Sequence, residues 1–141
     1  MMDLSRALEA ARATNHSVLI TIRGNGLPQL SNVLHHVDAD GVIRISTTAD
    51  RAKYVNLTRR PWAALKVDGD NFWSYAVLEG DVELSKIAIS PDDAAVEELI
   101  TLYRDISGEH PDWAEYRTAM VADRRLVIRL TPNRAYGGPA R

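Results

Sequence analysis

The stretch STTADRAKYVNLTRRP, Ser46 to Pro61, gathers hydroxyls at Ser46, Thr47 and Thr48, bases at Arg51 and Lys53 and an amide at Asn56 around the start of a short helix. A helix start leaves backbone N–H groups without partners and carries partial positive charge, so hydroxyls and bases collected there form a candidate anion site. In a strand, Ser46 and Thr48 share one face and Thr47 takes the other, after which the chain turns into the helix. Charge from Arg51 and Lys53, with directed bonds from hydroxyls and helix N–H groups, is what one phosphate group requires. The same pattern also fits a capped surface helix with solvated bases, and the stretch alone does not separate the two.

Other residues with chemical potential carry less. His35 and His36 are neighbours on a strand, so they point to opposite faces and do not share one metal. Asp92 and Asp93 open a helix, where acids complement the dipole, and Glu97 and Glu98 read as helix surface. No G-x-S-x-G elbow or nucleophile–base constellation surrounds any serine. With no cysteine in the chain there is no disulfide, thiolate metal site or cysteine nucleophile.

The elements that must position the anion site are short strands punctuated by turns. Asp3 caps a helix reaching about Ala13, with Leu4, Leu8 and Ala11 on one face as a lid on a sheet. Ser17–Arg23 and Pro28–Val37 read as strands joined through Asn25-Gly26, and Asp40-Gly41 leads into Val42–Thr48, so these three runs are expected to form a meander. In that meander the polar groups of PQLSNV lie one strand from the anion site, within reach of a planar ring beside the phosphate. Pro61 ends the short helix and Trp62–Asp68 returns as a strand. Phe72–Ser85 alternates as another, placing Trp73 and Tyr75 on one face, and Gly80 marks a bulge. Aromatic residues at this spacing serve a ring-flanking role or simply a core. Ser90 as N-cap, Pro91 at the first helical position and Gly108 beyond the end define a helix; Asp112 caps the next, and Arg124–Gly137 is the final strand. Roughly six strands with inserted helices predict an antiparallel α+β barrel.

Composition limits the partners. The 141 residues are 45% hydrophobic with net charge -2, which fits one domain over residues 1–141 with one core. Bases are interleaved with acids, which argues against a nucleic-acid surface. No apolar run is long enough for a bilayer and no apolar leader segment opens the chain, so no membrane partner is expected and the cytoplasm is the expected compartment.

Taken in order, G-x-G-x-PQLSNV (24–33), ISTTADRAKYVNLTRRP (45–61), WSYAVLEGDVELS (73–85) and LYRDISGEHPDWAEYRTAMVADRRLVIRLTP (102–132) make the chain resemble the pyridoxamine 5′-phosphate oxidase-like split β-barrel family. It is most similar to the branch that uses the deazaflavin coenzyme F420, and R-x-K-x-x-N-L is the most specific element. The resemblance implies an antiparallel split β-barrel (the FMN-binding split barrel) with peripheral helices, and a homodimer holding the cofactor at the subunit interface. It further implies that residues matching Arg51 and Lys53 hold the cofactor phosphate, with Asn56, Ser46, Thr47 and Thr48 supporting that pocket. Residues matching Gln29, Ser31 and Asn32 line the ring, and Trp73 and Tyr75 lie near the groove. The implied activity is hydride transfer between F420 and a small organic substrate; in such an enzyme the cofactor does the difficult chemistry, so no acid–base pair need announce itself. An FMN-binding oxidase and a noncatalytic flavin- or deazaflavin-binding protein are the alternatives. Oxidation of pyridoxamine phosphate itself is disfavoured, because no second basic cluster is evident for that substrate's phosphate. Arg59 and Arg60 are the residues expected to attract the carboxylate tail that F420 has and FMN lacks.

Overall fold

The computed structural model describes residues 2–138. In chain order the elements are α1 (Leu4–Arg12), β1 (His16–Ile22), β2 (Pro28–Leu34), β3 (His36–Val37), β4 (Ile43–Thr48), α2 (Ala52–Arg59), β5 (Trp62–Asp68), β6 (Tyr75–Leu84), α3 (Ala94–Ser107), α4 (Trp113–Ala122) and β7 (Arg125–Gly138). The strands form one antiparallel sheet in the order β2-β1-β5-β6-β7-β4-β3. Its two outermost strands, β2 and β3, are one run of chain interrupted at His35, so covalent continuity joins the two edges and curls the sheet into a split barrel. The run expected as a single strand over 28–37 therefore pairs first with β1 and then with β4.

This arrangement divides the expected meander between the two edges of the sheet. β1 and β2 pair as a hairpin through Gly26 at φ 86 and β3 and β4 as a second through Gly41 at φ 86, so the run 28–37 does pair with both of its neighbours in sequence, but β4 lies between β3 and β7 instead of beside β2. The reason is the barrel itself, since β4 buries Ile43 and Ile45 completely by joining the C-terminal strand over Ile43–Leu130 to Thr48–Arg125.

The barrel interior is filled by Leu19, Ile43, Ile45, Leu57, Leu65, Leu78, Ile128 and Leu130. Helix α1 closes one end: Asp3 accepts from the Arg6 N–H at 2.9 Å, and Ala7 and Ala11 sink into the barrel core. His35 is wholly buried where β2 gives way to β3, its Nδ1 2.7 Å from Ser17 Oγ and its Nε2 2.8 Å from the Ala11 carbonyl. Burial lowers its pKa, which suits a neutral ring donating to Ala11 and accepting from Ser17. A second cluster packs α3 and α4 over the sheet through Val96, Leu99, Ile100, Met120 and Val127.

Two local expectations shift. The strand expected from Phe72 begins at Tyr75, because Asn71 Oδ1 accepts from the N–H groups of Trp73 (2.9 Å) and Ser74 (3.2 Å) and holds 71–74 as a turn. The helix expected to be capped by Ser90 starts at Ala94 with Asp93 as its cap, bonded to the Val96 N–H at 2.9 Å. The other oxygen of Asp93 accepts from Ile89 and Ser90 N–H, so Ser90 and Pro91 belong to the turn before the helix. Gly80 does sit at a register shift against β7, where an added Cβ would lie 2.1 Å from the Thr131 carbonyl oxygen.

Candidate functional site

Strand β4 delivers its hydroxyls as the period-two pattern requires. Ser46 and Thr48 share the half-exposed face; Thr47 turns inward and is only 3% exposed. Its Oγ1 has no hydrogen-bond partner among the described residues. Thr48 donates to the Asp50 carboxylate, the chain turns, and Arg51 becomes the N-cap of α2 in extended conformation. No side chain caps this helix, so its first N–H groups keep their capacity to bind an anion.

Beside this turn lies a cavity of about 470 Å³. Asn32, Ser46, Thr47, Thr48, Arg51 and Lys53 all line it, and the structure thus brings six of the sequence-derived residues to one place. Opposite them, α3 and α4 contribute Leu99, Leu102, Tyr103, Ile106, Tyr116 and Met120 as an apolar and aromatic wall. A third base, Arg125 at the start of β7, completes the polar side and donates from Nη1 to Ser46 Oγ at 3.1 Å.

Bases outnumber acids in this corner, where Asp123 is the carboxylate in the cavity lining beside Arg51, Lys53 and Arg125. Among the described residues, no ion pair joins Arg51, Lys53 or Arg125 to a carboxylate. Burial, followed by repulsion from Arg51 and Arg125, pulls the Lys53 ammonium below its usual range. Three bases against the single carboxylate of Asp123 in the cavity lining, next to a buried hydroxyl without a partner among the described residues, form a donor set suited to a phosphate or similar oxyanion. Tyr116 is not a ready acid: burial pushes its hydroxyl up to about 12, and it donates to the Leu99 carbonyl at 3.1 Å.

The remaining sequence-derived residues lie outside the cavity lining. Asn56 is buried beneath α2, donating to Thr21 Oγ1 and Gln29 Oε1 at 3.1 Å each and accepting from Arg59 Nη2 at 3.0 Å. Asn56 and Gln29 therefore fasten α2 to β1 and β2, one layer below the anion corner. Ser31 lies on the half-buried face of β2 with Gln29, whereas Asn32 is on the opposite face. Trp73 stands 65% exposed in the β5–β6 turn, edge-on to Phe72, and Tyr75 begins β6 with Lys66 Nζ 6.0 Å from its ring centre. Arg59 and Arg60 do not line the cavity either, and Arg59 is held by Asn56. Sequence reasoning missed Arg125 and the aromatic wall, for which no local motif exists. Arg125 reaches Ser46 only because β4 and β7, far apart in the chain, are neighbours in the sheet.

The fold is a split barrel whose β4–α2 turn gathers hydroxyls and bases beside a cavity. The family model for pyridoxamine 5′-phosphate oxidase matches residues 4–137, and the chain belongs to that family. Among solved structures, it is similar to a conserved hypothetical protein from Mycobacterium tuberculosis, with TM-score 0.72 and 21% identity, covering 98% of this chain and 85% of that one. It is also similar to a protein described as an F420 reductase, with TM-score 0.68 and 27% identity over 91% of this chain and 94% of the other. A pyridoxamine 5′-phosphate oxidase-related, FMN-binding protein from Nostoc punctiforme matches with TM-score 0.59 and 20% identity, covering 94% and 79%. No helix among the described residues is long and apolar enough to cross a membrane.

Proposed function

We propose that this chain is an F420-dependent oxidoreductase that seats the deazaflavin phosphate at the β4–α2 turn and acts on a small organic substrate. The observation that carries this reading is the convergence of Arg51 and Lys53, unpaired with any carboxylate among the described residues, at an uncapped helix start beside an apolar-walled cavity. The similarity to an F420 reductase over nearly the whole of both chains supports the choice of deazaflavin. When bound, the deazaflavin supplies the hydride. The chain's own residues do the rest: Arg51, Lys53, Ser46 and Thr48 fix the phosphate, and Asn56 with Gln29 holds α2 in register. With Tyr116 held protonated and bonded to a carbonyl, the cavity offers no committed proton donor, and solvent fills that role.

A homodimer is part of the same reading. Leu30 and Leu34 are 62% and 49% exposed on the outward face of edge strand β2, Tyr136 is 48% exposed on β7, and this apolar surface is suited to a second copy. Trp73 and Phe72 project from the β5–β6 turn, available to the partner's groove.

Titrating the purified protein with F420 and FMN, then mixing it with reduced F420 and a panel of activated alkenes, tests the assignment. Tighter F420 binding with turnover is the expected result. Tighter FMN binding with oxygen consumption would transfer the chain to the oxidase reading, and tight F420 binding without turnover would make it a carrier.

A further inference from the structure

The two glycines of G-x-G at 24–26 have separate uses. Gly26 takes φ 86 in the β1–β2 turn, whereas Gly24 is not in the left-handed region and is glycine for want of space: a Cβ there would lie 2.2 Å from Arg59 Nη1. The guanidinium of Arg59, from the last turn of α2, thus lies against the Gly24 backbone, and its Nη2 donates to Asn56 Oδ1 at 3.0 Å.

From that bond the polarity of a buried network is forced. A guanidinium only donates, so the Asn56 oxygen must face it, and the Asn56 nitrogen is turned to Thr21 Oγ1 and Gln29 Oε1, 3.1 Å from each. That nitrogen needs acceptors, which fixes the Gln29 carboxamide with its oxygen inward and its NH2 group outward. Asn56 and Thr21 are 3% and 1% exposed, so these bonds are sheltered from water. The outward Gln29 nitrogen has no partner among the described residues, and it is not buried, since Thr47 Oγ1 is the buried side-chain polar atom among them that lacks one. Asn56 stands five residues after Arg51, about 7.5 Å of helix at the usual rise per residue, so the free donor lies within one small molecule's reach of the anion corner.

We propose that Arg59 is a positioning residue: through Asn56 it turns Gln29 so that an N–H donor meets the ligand, and the part of the ligand over β2 therefore offers a hydrogen-bond acceptor, a ring carbonyl oxygen or an unprotonated ring nitrogen. A freely turning glutamine would accept either polarity. One fixed in this way rejects a donor, because two N–H groups would face each other unpaired. The proposal rests on the reading of the ligand as a phosphate-bearing deazaflavin or flavin.

The test compares the wild type with Gly24→Ala, Arg59→Met, Asn56→Asp and Gln29→Leu. Without ligand, side-chain amide NMR should show the Asn56 protons exchanging slowly with water and the Gln29 protons rapidly. In Asn56→Asp the new carboxylate only accepts, so the Gln29 amide must turn and its protons should become slow. In titrations, Gly24→Ala and Arg59→Met should each weaken F420 and FMN roughly three- to tenfold and leave inorganic phosphate unchanged. Gly24→Ala keeps every charge and displaces only the tip of a long side chain, so it separates the relay from the charge of Arg59 and from a failure to fold. Arg59→Met should have no further effect in the Gln29→Leu background, because its influence passes through Gln29. Rapid Gln29 exchange in Asn56→Asp, equal weakening of phosphate and cofactors, or an undiminished Arg59→Met loss in the Gln29→Leu background overturns the proposal. If the wild-type protein binds neither cofactor while the Gln29 protons slow in Asn56→Asp, the F420 reading falls and the relay stands.

Discussion

In the proposed function, cofactor retention turns on Arg51 and Lys53. Replacing either by alanine removes a charge-assisted bond to phosphate, a loss of roughly 1.5–3 kcal/mol, or about ten- to more than a hundredfold in affinity. Thermal stability should hold, because neither base is ion-paired among the described residues; fluorescence titration beside a melting curve checks both statements. Lys53 adds a pH dependence. Its ammonium loses its proton at lower pH than an ordinary lysine, whose value is 10.5, so phosphate affinity should begin to fall on the alkaline side before that value is reached. Titration of the Lys53→Arg variant, which keeps its charge, should show no such fall. At this scale the sequence was legible wherever neighbours in the chain are neighbours in space. Ser46, Thr48, Arg51 and Lys53 fall within one strand and one helical turn, so spacing sufficed. The resemblance implied that Asn56 supports the phosphate pocket; its amide bonds with Thr21 and Gln29, and that three-body arrangement has no signature in any one segment.

Among the elements, α3 is anchored to the sheet by a charged contact that is distinct from its apolar one. Glu98 accepts from Arg44 Nε at 3.0 Å and from Arg129 Nε and Nη2 at 2.7 and 2.6 Å, tying α3 to β4 and β7 at once. Burial alone would raise the Glu98 carboxyl, but the bonds to Arg129 and Arg44 prevail and lower it. The contribution to stability is therefore complete above the ordinary value of 4.5 and is lost as pH falls through the lower folded-state value. Glu98→Gln should cost about 1.5–3 kcal/mol at neutral pH, and its melting temperature should depend less on acid than that of the wild type. Gly80→Ala is expected to be more disruptive than its size suggests, because the new methyl would strike backbone oxygen instead of a movable side chain. Loss of roughly 1–3 kcal/mol or more, seen in chemical denaturation, is the expected outcome. The bulge at Gly80 was legible because glycine inside an alternating strand has few other uses. The start of β6 was not, since alternation continues through Phe72 and Trp73 while Asn71 has already diverted the backbone into a turn. Asp93 won the cap from Ser90 for a similar reason: both are good caps, and only the docking of Val96 and Leu99 decides between them.

For the molecule as a whole, the apolar edge formed by β2 predicts self-association. Light scattering at micromolar concentration should give twice the chain mass, and Leu30→Asp should give a monomer that also loses cofactor affinity, because the groove is proposed to be shared. A monomeric variant with unchanged affinity would confine the site to one subunit. The barrel class was readable from strand count and the absence of crossover helices; the order of strands was not. Turn signals report which runs are consecutive, whereas the position of β4 is set by the distant strand that covers Ile43 and Ile45.

The interruption of one run at His35, which puts β2 and β3 on opposite edges of the sheet, also governs the order in which the chain acquires structure. The β1–β2 and β3–β4 hairpins close through short loops, but the other edge of β4 must wait for Leu126–Leu130, and the entropy of closing so long a loop makes that pairing slow. During synthesis the first half of the protein consequently emerges with an unsatisfied strand edge, a state prone to misassembly until the last segment arrives. The anion corner straddles this seam, its bases drawn from both sides of the last pairing to form. Ligand capture should accordingly lag behind the appearance of β structure in a refolding experiment, and excess ligand should trap the completed barrel without hastening the steps before it.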